Sequence, residues 1–593
     1  MTQQQKKDMS QYFYRASAAD FMQIPGGPVA YWLSDNSLEL FSRSAPLESV
    51  AEARKGMVTA RNDLYVRHWY EISKKKLCLD AESRGDAEKS EKKWFPYIKG
   101  GDFRKWYGNK REVVDWENDG LRLRTTMHPR ESRIWATNFN LDYIFQPNVN
   151  WSDVTSGCFS ARISFGGELF DATGLSCFPS GDNLYQTIAY LNSKVAGHLL
   201  SILNPTLHFQ AGNIASLPFP DEALSITTEH ARRAIEISRC DWDLFETSWD
   251  FASSPLLKDH DLRNAYVRIR ENWRELVAEM VSIERVNNER FIDICGLDGE
   301  LSPLVPSEEI TLNCNPDYRY GGNRSEEELE TLLQCDTLKE LVSYSIGCMM
   351  GRYSIDKPGL ILASQGETLQ DYLNQIPSPR FMPDDDAILP LTDQEWFPDD
   401  ATNRFREFVR VVWGDEHLQE NLDFVAESLC LHAIKPKRGE SALDTIRRYL
   451  STQFFKDHMR TYKKRPIYWL FSSGKQKAFE CLVYLHRYNE GTLARMRTEY
   501  VIPLTAKMAA HAQKLEKDKE ASNSAAEIKR LEKQIATLHK QQAELAEFDE
   551  KLRHYADQRI SLDLDDGVKV NYGKFGDLLA EVKAITGKDP EVN

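Results

Sequence analysis

The residues of this 593-residue chain best suited to chemistry are cations interleaved with aromatic rings. Between Arg54 and Arg133 the chain has 20 Lys or Arg against 13 Asp or Glu, a net charge of +7. A second block, Lys435 to Lys477, has 12 Lys or Arg against 3 acids and contains Tyr449, Phe454, Phe455, Tyr462, Tyr468 and Trp469. Phosphates attract such cations, and rings can pack on sugars or splayed bases. Both blocks therefore indicate a polyanion as partner, although a solvated face over an aromatic core would give the same pattern.

The composition limits the class of protein. With 28% charged residues, a mean hydropathy of −0.53 and a formal net charge of −15, the chain is neither a membrane protein nor wholly disordered. No run approaches the roughly 20 apolar residues of a membrane span, and the first residues lack the apolar core of a secretory signal. The ten cysteines form no CxxC pair. We therefore expect a cytoplasmic protein without a disulfide framework or a zinc ribbon.

The motifs that catalysis on DNA would require are missing from the sequence. Transfer of a methyl group to adenine needs a glycine-rich turn for the cofactor and an Asn-Pro-Pro-aromatic loop, and Asn315-Pro316-Asp317-Tyr318 has Asp in place of the second Pro. There is no phosphate-binding GxxxxGK[ST] loop, no HExxH and no GxSxG. Asp565, Asp566, Glu581 and Lys583 match a metal-dependent nuclease only loosely. We therefore predict no catalytic, cofactor-binding or metal-binding residues in this chain.

The elements that position the basic blocks follow from periodicity and turn residues. We predict a mixed α+β fold: a β-rich unit, then a large, mostly α-helical region, then a C-terminal helical hairpin or coiled coil. The predicted domains are an N-terminal joint and helix (1–50), the β-rich domain (51–222), a helical domain (223–376), an acidic linker (377–402), a basic helical domain (403–503), and the hairpin arm with a C-terminal tail (504–593).

Three segments carry more specific structural predictions. Apolar residues at threes and fours predict one helix from Leu184 to Leu203, ended by Asn204-Pro205. The acidic, Pro-rich stretch Pro377–Asp400 indicates an exposed linker or lid. Ala525–Tyr555 has the same helical spacing, and Leu504–Lys519 is its expected partner across the polar turn EASNSA. This arm could pack on its own chain or pair between subunits.

Eight collinear segments resemble the PglX family, the adenine-specific DNA methyltransferases of BREX phage-defence systems. They are IPGGPVAYWLS (24–34), KWFPYIKGGDFRKWYGN (93–109), YLNSKVAGHLLSILNPTLHFQAGNIASLPFP (190–220), RCDWDLFETSWDF (239–251), RFIDICGLDGEL (290–301), SYSIGCMMGRYSIDKPGLILASQGE (343–367), KRPIYWLFSSG (464–474) and DLDDGVKVNYGKF (563–575). One departure is GMVTARND at 56–63, where the family more usually has Gly-Leu-Ala-Thr-Gly-Asp-Asn-Asp. The resemblance spans nearly the whole chain.

The resemblance implies only part of an enzyme. In that family the cofactor-binding and Asn-Pro-Pro-aromatic motifs lie N-terminal to the point where this sequence begins. The chain is therefore similar to the C-terminal, target-recognition half, as an excised fragment or a split-gene product. S-adenosyl-L-methionine is expected in the complete enzyme and not in this chain. The expected partners are double-stranded DNA and the catalytic N-terminal half.

In such enzymes phosphate contacts set the register, a few side chains read base edges, and the adenine is flipped into the catalytic half. By residue type we predict nine DNA-facing residues, with ordinary core as the alternative for Trp106, Tyr107 and the neighbouring Trp94: Lys93, Tyr97, Lys99, Arg104, Lys105, Trp106, Tyr107, Arg130 and Arg133. Arg352 could contact phosphate or cap a buried acid. The alternative function is a protein-interaction scaffold whose arm, residues 504–560, docks other BREX proteins or a phage inhibitor that imitates DNA.

Overall fold

The computed structural model describes residues 17–155, 157–204, 206–226 and 228–590. Most of its strands are short and lie in the first 220 residues, as the β-rich sequence of that region predicts. The strands are β1 Ala45–Pro46, β2 Ala51–Arg54, β3 Val66–His68, β4 Trp94–Ile98, β5 Glu112–Asp115, β6 Asn148–Ser152, β7 Ala161–Ser164, β8 Leu169–Phe170, β9 Gly174–Pro179, β10 Pro218–Phe219, β11 Ile388–Pro390, β12 Tyr468–Ser472 and β13 Glu480–Tyr484.

Helices dominate the rest of the described chain, so the predicted mixed α+β class is confirmed. The helices are α1 Ala18–Phe21, α2 Asp35–Arg43, α3 Asn62–Tyr65, α4 Arg84–Lys89, α5 Glu117–Thr125, α6 Leu184–Leu191, α7 Lys194–Leu203, α8 Ala211–Ala215, α9 Glu229–Trp242, α10 Leu262–Cys295, α11 Pro316–Tyr320, α12 Glu326–Met349, α13 Leu369–Gln375, α14 Ala401–Trp413, α15 Leu418–His432, α16 Ala442–Tyr449, α17 Phe455–Thr461, α18 Thr492–Arg495, α19 Ile502–Ala521, α20 Ala525–Asp557, α21 Gly567–Gly573 and α22 Val582–Thr586. Two π-helical turns, Leu450–Phe454 and Met496–Val501, join α16 to α17 and α18 to α19. Among the described residues, no helix combines the length and apolarity that crossing a membrane requires.

The chain divides into two compact units, each built from separate segments. Unit 1 consists of Met1–Val66, Cys78–Trp242 and Trp273–Gly321, and unit 2 consists of Arg67–Leu77, Asp243–Asn272 and Gly322–Asn593.

Unit 1 contains the β-rich part of the chain. Four antiparallel strands lie in the order β2-β9-β6-β7, and β4 pairs antiparallel with β5 and parallel with β8. Strand β4 is buried at all five positions, because aromatic residues such as Phe95 pack in one cluster with Trp116, Phe145 and Phe170. This cluster is the hydrophobic core on which the surface loops of unit 1 rest.

The helix predicted for residues 184–203 is two helices. Helix α6 ends at Leu191, and Ser193 begins α7 as its N-cap, with its hydroxyl oxygen accepting the Ala196 amide hydrogen at 3.2 Å. Both helices keep a buried apolar face, which is the feature that the spacing reports. The spacing of apolar residues does not reveal the boundary between the two helices, because a serine cap can interrupt a helix without altering the apolar pattern.

Unit 2 contains the antiparallel sheet β11-β13-β12 and the helices from α12 onward. The exposure expected of the acidic stretch 377–400 is wrong for part of it, because β11 is buried and pairs with β13. Asp400 is fully buried, where its carboxylate caps α14 at the Asn403 amide and pairs with Arg447 at 2.5 Å. Acidic composition predicts solvent exposure only for carboxylates that have no buried partner.

The predicted C-terminal hairpin is present. Helices α19 and α20 are joined at residues 522–524 and pack against each other through apolar residues at threes and fours, among them Leu504, Met508, Leu545 and Leu552. These residues are buried within the chain, which is the first of the two arrangements left open by the sequence.

Candidate nucleic-acid interface

Five of the nine predicted DNA-facing residues lie in the interior of unit 1, namely Tyr97 (2% exposed) and four consecutive residues of one loop. Arg104, Lys105, Trp106 and Tyr107 are each at most 6% exposed. Trp94 is fully buried as well, so the core alternative holds for all three aromatic residues to which it was applied. None of these side chains is therefore accessible at the surface of unit 1.

Arg104 fixes its loop to helix α9. Its Nε donates to the carbonyl oxygen of Tyr107 at 2.7 Å, and one terminal nitrogen donates to Asp241 Oδ2 at 2.9 Å. The Asp241 carboxylate also accepts the backbone N–H groups of Asn313 and Cys314 at 2.8 and 2.9 Å. Both side chains of this pair are only 2% exposed; Arg104 also donates to the Ser238 carbonyl oxygen at 3.0 Å, and its second terminal nitrogen is buried without a partner in the described chain.

Lys105 and Trp106 share one carboxylate on helix α10. Lys105 Nζ lies 2.5 Å from Glu284 Oε2, and Trp106 Nε1 donates to Glu284 Oε1 at 2.9 Å. Trp106 has a φ of 69°, which is costly for a residue with a side chain. Backbone hydrogen bonds to Ala161 (2.9 Å) and from Ile163 (2.8 Å) hold it there. The FRKWY loop is thus a structural joint.

The remaining residues of the KWFPYIKGG segment are also engaged. Burial raises the pKa of Tyr97 well above its ordinary value, and its hydroxyl donates to a backbone carbonyl. Lys99 pairs with Asp171 at 3.1 Å and is 22% exposed at its side chain. Lys93 is half-buried, with its ammonium 5.4 Å from the centre of the Trp94 ring. Of these three residues, the two lysines keep partial access to solvent.

Arg130 and Arg133, in contrast, lie on an exposed two-stranded ribbon of residues 126–135. The amide of Trp135 donates to the carbonyl of Thr126 at 2.9 Å, and the amide of His128 donates to the carbonyl of Arg133 at 2.8 Å. Residues 129–134 at its turn are exposed. The major groove of B-DNA is wide enough to admit a two-stranded ribbon. We call this element the 126–135 ribbon.

The turn of the 126–135 ribbon presents two guanidinium groups. Arg133 pairs with Glu131 at 2.5 Å, with both side chains about half exposed (48% and 54%). Arg130 is exposed and forms no ion pair with any residue in the described part of the chain. An unpaired guanidinium keeps all its donors, which match O6 and N7 of guanine.

Further cations that sequence reasoning did not select lie beside the ribbon. Arg122 and Arg124 are on helix α5, which ends where the ribbon begins, and each pairs with an aspartate. The Arg61 guanidinium is 5.8 Å from the Trp135 ring, and Lys55 is exposed beside Asn140, which donates to its carbonyl oxygen. All four cations belong to the first basic block, but the sequence does not show that they lie near the 126–135 ribbon, because only the fold brings them together.

The second basic block, Lys435–Lys477, separates its two residue types. Its aromatic residues are buried and expose no ring for stacking on a partner: Tyr449, Phe454, Phe455, Tyr462, Tyr468 and Trp469. Most of its cations are exposed. The block is the solvated basic face over an aromatic core that the sequence left open, and phosphate contact is the recognition it can still provide.

Two other candidates have structural roles. Asn315 caps α11, where its side-chain oxygen accepts the Asp317 amide hydrogen at 3.2 Å, as expected of an Asn-Pro turn. Arg352 is fully buried and donates to the hydroxyl oxygens of Tyr353 (3.1 Å) and Tyr484 (2.9 Å), so it contacts no phosphate. Within residues 17–155, 157–204, 206–226 and 228–590, no three His, Cys, Asp or Glu are grouped to hold a metal ion.

No protein-family profile matches the chain. It is 47% identical to the adenine-specific methyltransferase BrxX of Escherichia coli O9:H4 (strain HS) over 582 residues, which are 96% of this chain and 46% of that protein. It is 37% identical to the adenine-specific methyltransferase PglX of Lacticaseibacillus casei (strain Zhang) over 587 residues, again 46% of that protein. The chain thus spans about half the length of the curated relatives it matches. It is homologous to one portion of these adenine-specific methyltransferases.

Proposed function

We propose that the chain is the DNA-recognition portion of an adenine-specific (N6) DNA methyltransferase of a BREX phage-defence system. The observation that carries the proposal is the exposed 126–135 ribbon with the unpaired Arg130 at its turn. Its support is the homology of nearly the whole chain to part of two adenine-specific methyltransferases.

In this proposal the ribbon enters the major groove and Arg130 reads a base edge. Arg61, Arg122 and Arg124, with Lys55, contact phosphates and set the register. Their aspartate partners keep the guanidinium groups aimed before DNA arrives, which lowers the cost of ordering them. The target adenine leaves the stack and enters a pocket of the catalytic N-terminal half.

S-adenosyl-L-methionine belongs to that catalytic half in our proposal. The glycine pairs of the β-rich unit have packing reasons of their own. A Cβ at Gly100 would lie 2.7 Å from the Thr173 carbonyl oxygen, and one at Gly166 would lie 2.8 Å from the Phe145 carbonyl oxygen. These glycines allow backbones to approach each other, so they are not a fit for a cofactor.

The same cations define the other partners we propose. A phage inhibitor that imitates the charge of DNA would bind the 126–135 ribbon and compete with duplex. If the chain instead acts as a scaffold through residues 504–560, it would bind another BREX protein at affinities insensitive to salt and would not shift DNA.

We expect the double variant R130Q/R133Q to bind duplex DNA more weakly and to discriminate less between sequences. An arginine that reads guanine contributes about 1 to 3 kcal/mol. The measurement is fluorescence anisotropy of duplexes with the 593-residue chain at several salt concentrations, because phosphate contacts make affinity fall as salt rises.

The matched control is R285Q/R553Q. Both arginines are about half exposed and pair with a glutamate on their own helix, at Glu289 and Glu550, as Arg133 pairs with Glu131. The control should bind DNA as the wild type does. Equal affinity of R130Q/R133Q and wild type for every duplex would contradict the role of the ribbon.

We also expect the chain alone to transfer no methyl group from S-adenosyl-L-methionine to duplex adenine. Addition of the separately produced catalytic half of a relative should restore transfer, because recognition and chemistry then meet on one duplex. Incorporation of radiolabelled methyl groups measures both reactions. Labelling of DNA by this chain alone would overturn the division of labour that we propose.

A further inference from the structure

A continuous helical rod in unit 2 is flanked by basic loops at both ends. Helix α16, the π-helical turn Leu450–Phe454 and helix α17 follow one another without interruption over residues 442–461. The loop before the rod is 435–438 and the turn after it is 463–464, and both belong to the Lys435–Lys477 block. The proposed reading of base edges by the 126–135 ribbon does not involve this block.

The cations of the two loops point away from the core. Lys435, Lys437 and Arg438 are exposed before the rod, and Lys464 is exposed after it. None of these four forms an ion pair with any residue that the structure describes. In a chain whose net charge is −15, unpaired cations at both ends of one rod form a distinct positive surface.

The exposed side of the rod joins the two loops. Arg448, Thr452, Lys456 and Arg460 follow at intervals of four and are exposed or half-buried, which places them along one side. The rod also has two acids: Asp444 is exposed at its first turn, and Asp457 is buried and accepts from the Tyr449 hydroxyl at 3.1 Å. Arg448 pairs with Glu440 at 2.5 Å and Arg460 with Asp457 at 3.4 Å, so Lys456 is the cation of this side that forms no ion pair within the described chain.

The turn after the rod has an unfavourable backbone. Lys463 and Lys464 have φ values of 48° and 59°, a region that disfavours residues with a Cβ. Lysine at a helix C-terminus also offsets the helix dipole, which needs no ligand. Loop 435–438 lies between the C-terminus of α15 at His432, where a helix dipole favours cations, and the N-terminus of the rod, where it disfavours them.

The spacing of the two loops matches a duplex. A helix of 20 residues is roughly 30 Å long, and one turn of B-DNA rises about 34 Å. We propose that this face, the rod with its loops at 435–438 and 463–464, binds the sugar-phosphate backbone of double-stranded DNA at two points about one turn apart. This contact is independent of sequence, and the inference rests on the proposed function.

The test replaces four cations of the face, K437Q/R438Q/K456Q/K464Q, in the 593-residue chain. Binding to a 24-base-pair duplex should weaken at least about tenfold, and the slope of log affinity against log salt should fall by about one for each lost contact. The preference among sequences should be unchanged, because the ribbon is intact. The matched control K514Q/K517Q/K529Q/K533Q removes four exposed cations of the α19–α20 hairpin and should leave both quantities unchanged.

The outcomes separate this inference from the proposed function. Wild-type affinity and salt slope in the quadruple variant, with R130Q/R133Q impaired, would overturn the inference alone. Absence of wild-type binding to any duplex would overturn the proposed function together with it. Equal weakening in the control would also overturn the inference, because net charge and not this face would then govern binding. Thermal unfolding of each variant checks that it is folded.

Discussion

Replacement of Asp241 by alanine lowers the free energy of unfolding by about 3 to 5 kcal/mol, the cost of leaving a buried charge without its partner. The guanidinium of Arg104 would remain in the core with hydrogen bonds to the carbonyl oxygens of Tyr107 and Ser238 but with no carboxylate. The amides of Asn313 and Cys314 would lose their acceptor as well. Urea denaturation followed by circular dichroism measures the change.

Glu236 on the same helix is the control. Its side chain is 62% exposed and pairs with Arg233 at the surface, so E236A should change stability by less than about 0.5 kcal/mol. A loss below about 1 kcal/mol in D241A would contradict the structural role assigned to the FRKWY loop. The FRKWY loop lies between β4 and β5 and is buried at residues 104–107. We therefore also expect D241A to weaken DNA binding only to the extent that it lowers the fraction of folded protein.

Acid destabilises unit 2 through two buried histidines. Burial lowers the pKa of His458 and that of His486 to about 3. The Nε2 atom of His458 accepts the amide hydrogens of Ile467 and Tyr468, both at 3.1 Å, which a protonated ring could not do. Below pH 6.5 the unfolded chain binds protons at these rings and the folded chain does not. The stabilisation is therefore complete above pH 6.5 and is lost progressively towards pH 3.

Glu246 acts in the opposite direction. Burial raises its pKa to about 7, so its contribution is complete below about pH 4.5 and is lost as the pH rises through 7. Each group contributes about 1.4 kcal/mol per pH unit. Burial also raises the pKa of Asp393, Asp400 and Glu480, and these carboxylates act in the same direction as Glu246.

The variant H458Q tests this pH dependence, since it removes one titrating ring from the core. The loss of stability between pH 6.5 and 4.5 should be smaller in H458Q than in the wild type by about 3 kcal/mol, and H539Q at an exposed position should behave as the wild type. Denaturant titrations at both pH values provide the comparison. An unchanged pH dependence in H458Q would show that His458 is not held neutral.

Periodic patterns predicted the elements whose contacts are local. The α19–α20 hairpin follows from apolar residues at threes and fours, because each helix needs one partner close in sequence. The cap formed by Asn315 likewise depends on its immediate neighbour in the chain. In both places the residues that determine the structure are close to each other in sequence, so a sequence pattern can report them.

The partners of charged side chains could not be predicted in this way. Arg104 and Lys105 look like a DNA-binding motif in sequence, yet their carboxylates are Asp241 and Glu284, far along the chain. Arg352 was expected to contact phosphate or an acid, and its hydrogen-bond partners are two tyrosines. Charge type indicates what a side chain can bind, but the fold decides whether it is buried with a partner.

Unit 2 includes the segment Arg67–Leu77, which is far in sequence from the rest of that unit. Trp69 Nε1 donates to the Thr247 carbonyl at 2.8 Å, and the Tyr70 hydroxyl donates to the Tyr462 carbonyl at 3.0 Å. Glu71 accepts the amide of Val568 at 2.9 Å. During synthesis these three side chains can form their hydrogen bonds only after residues 247, 462 and 568 have been made. A chain shortened to residues 243–593 would lack these side chains, and their positions in unit 2 would be empty.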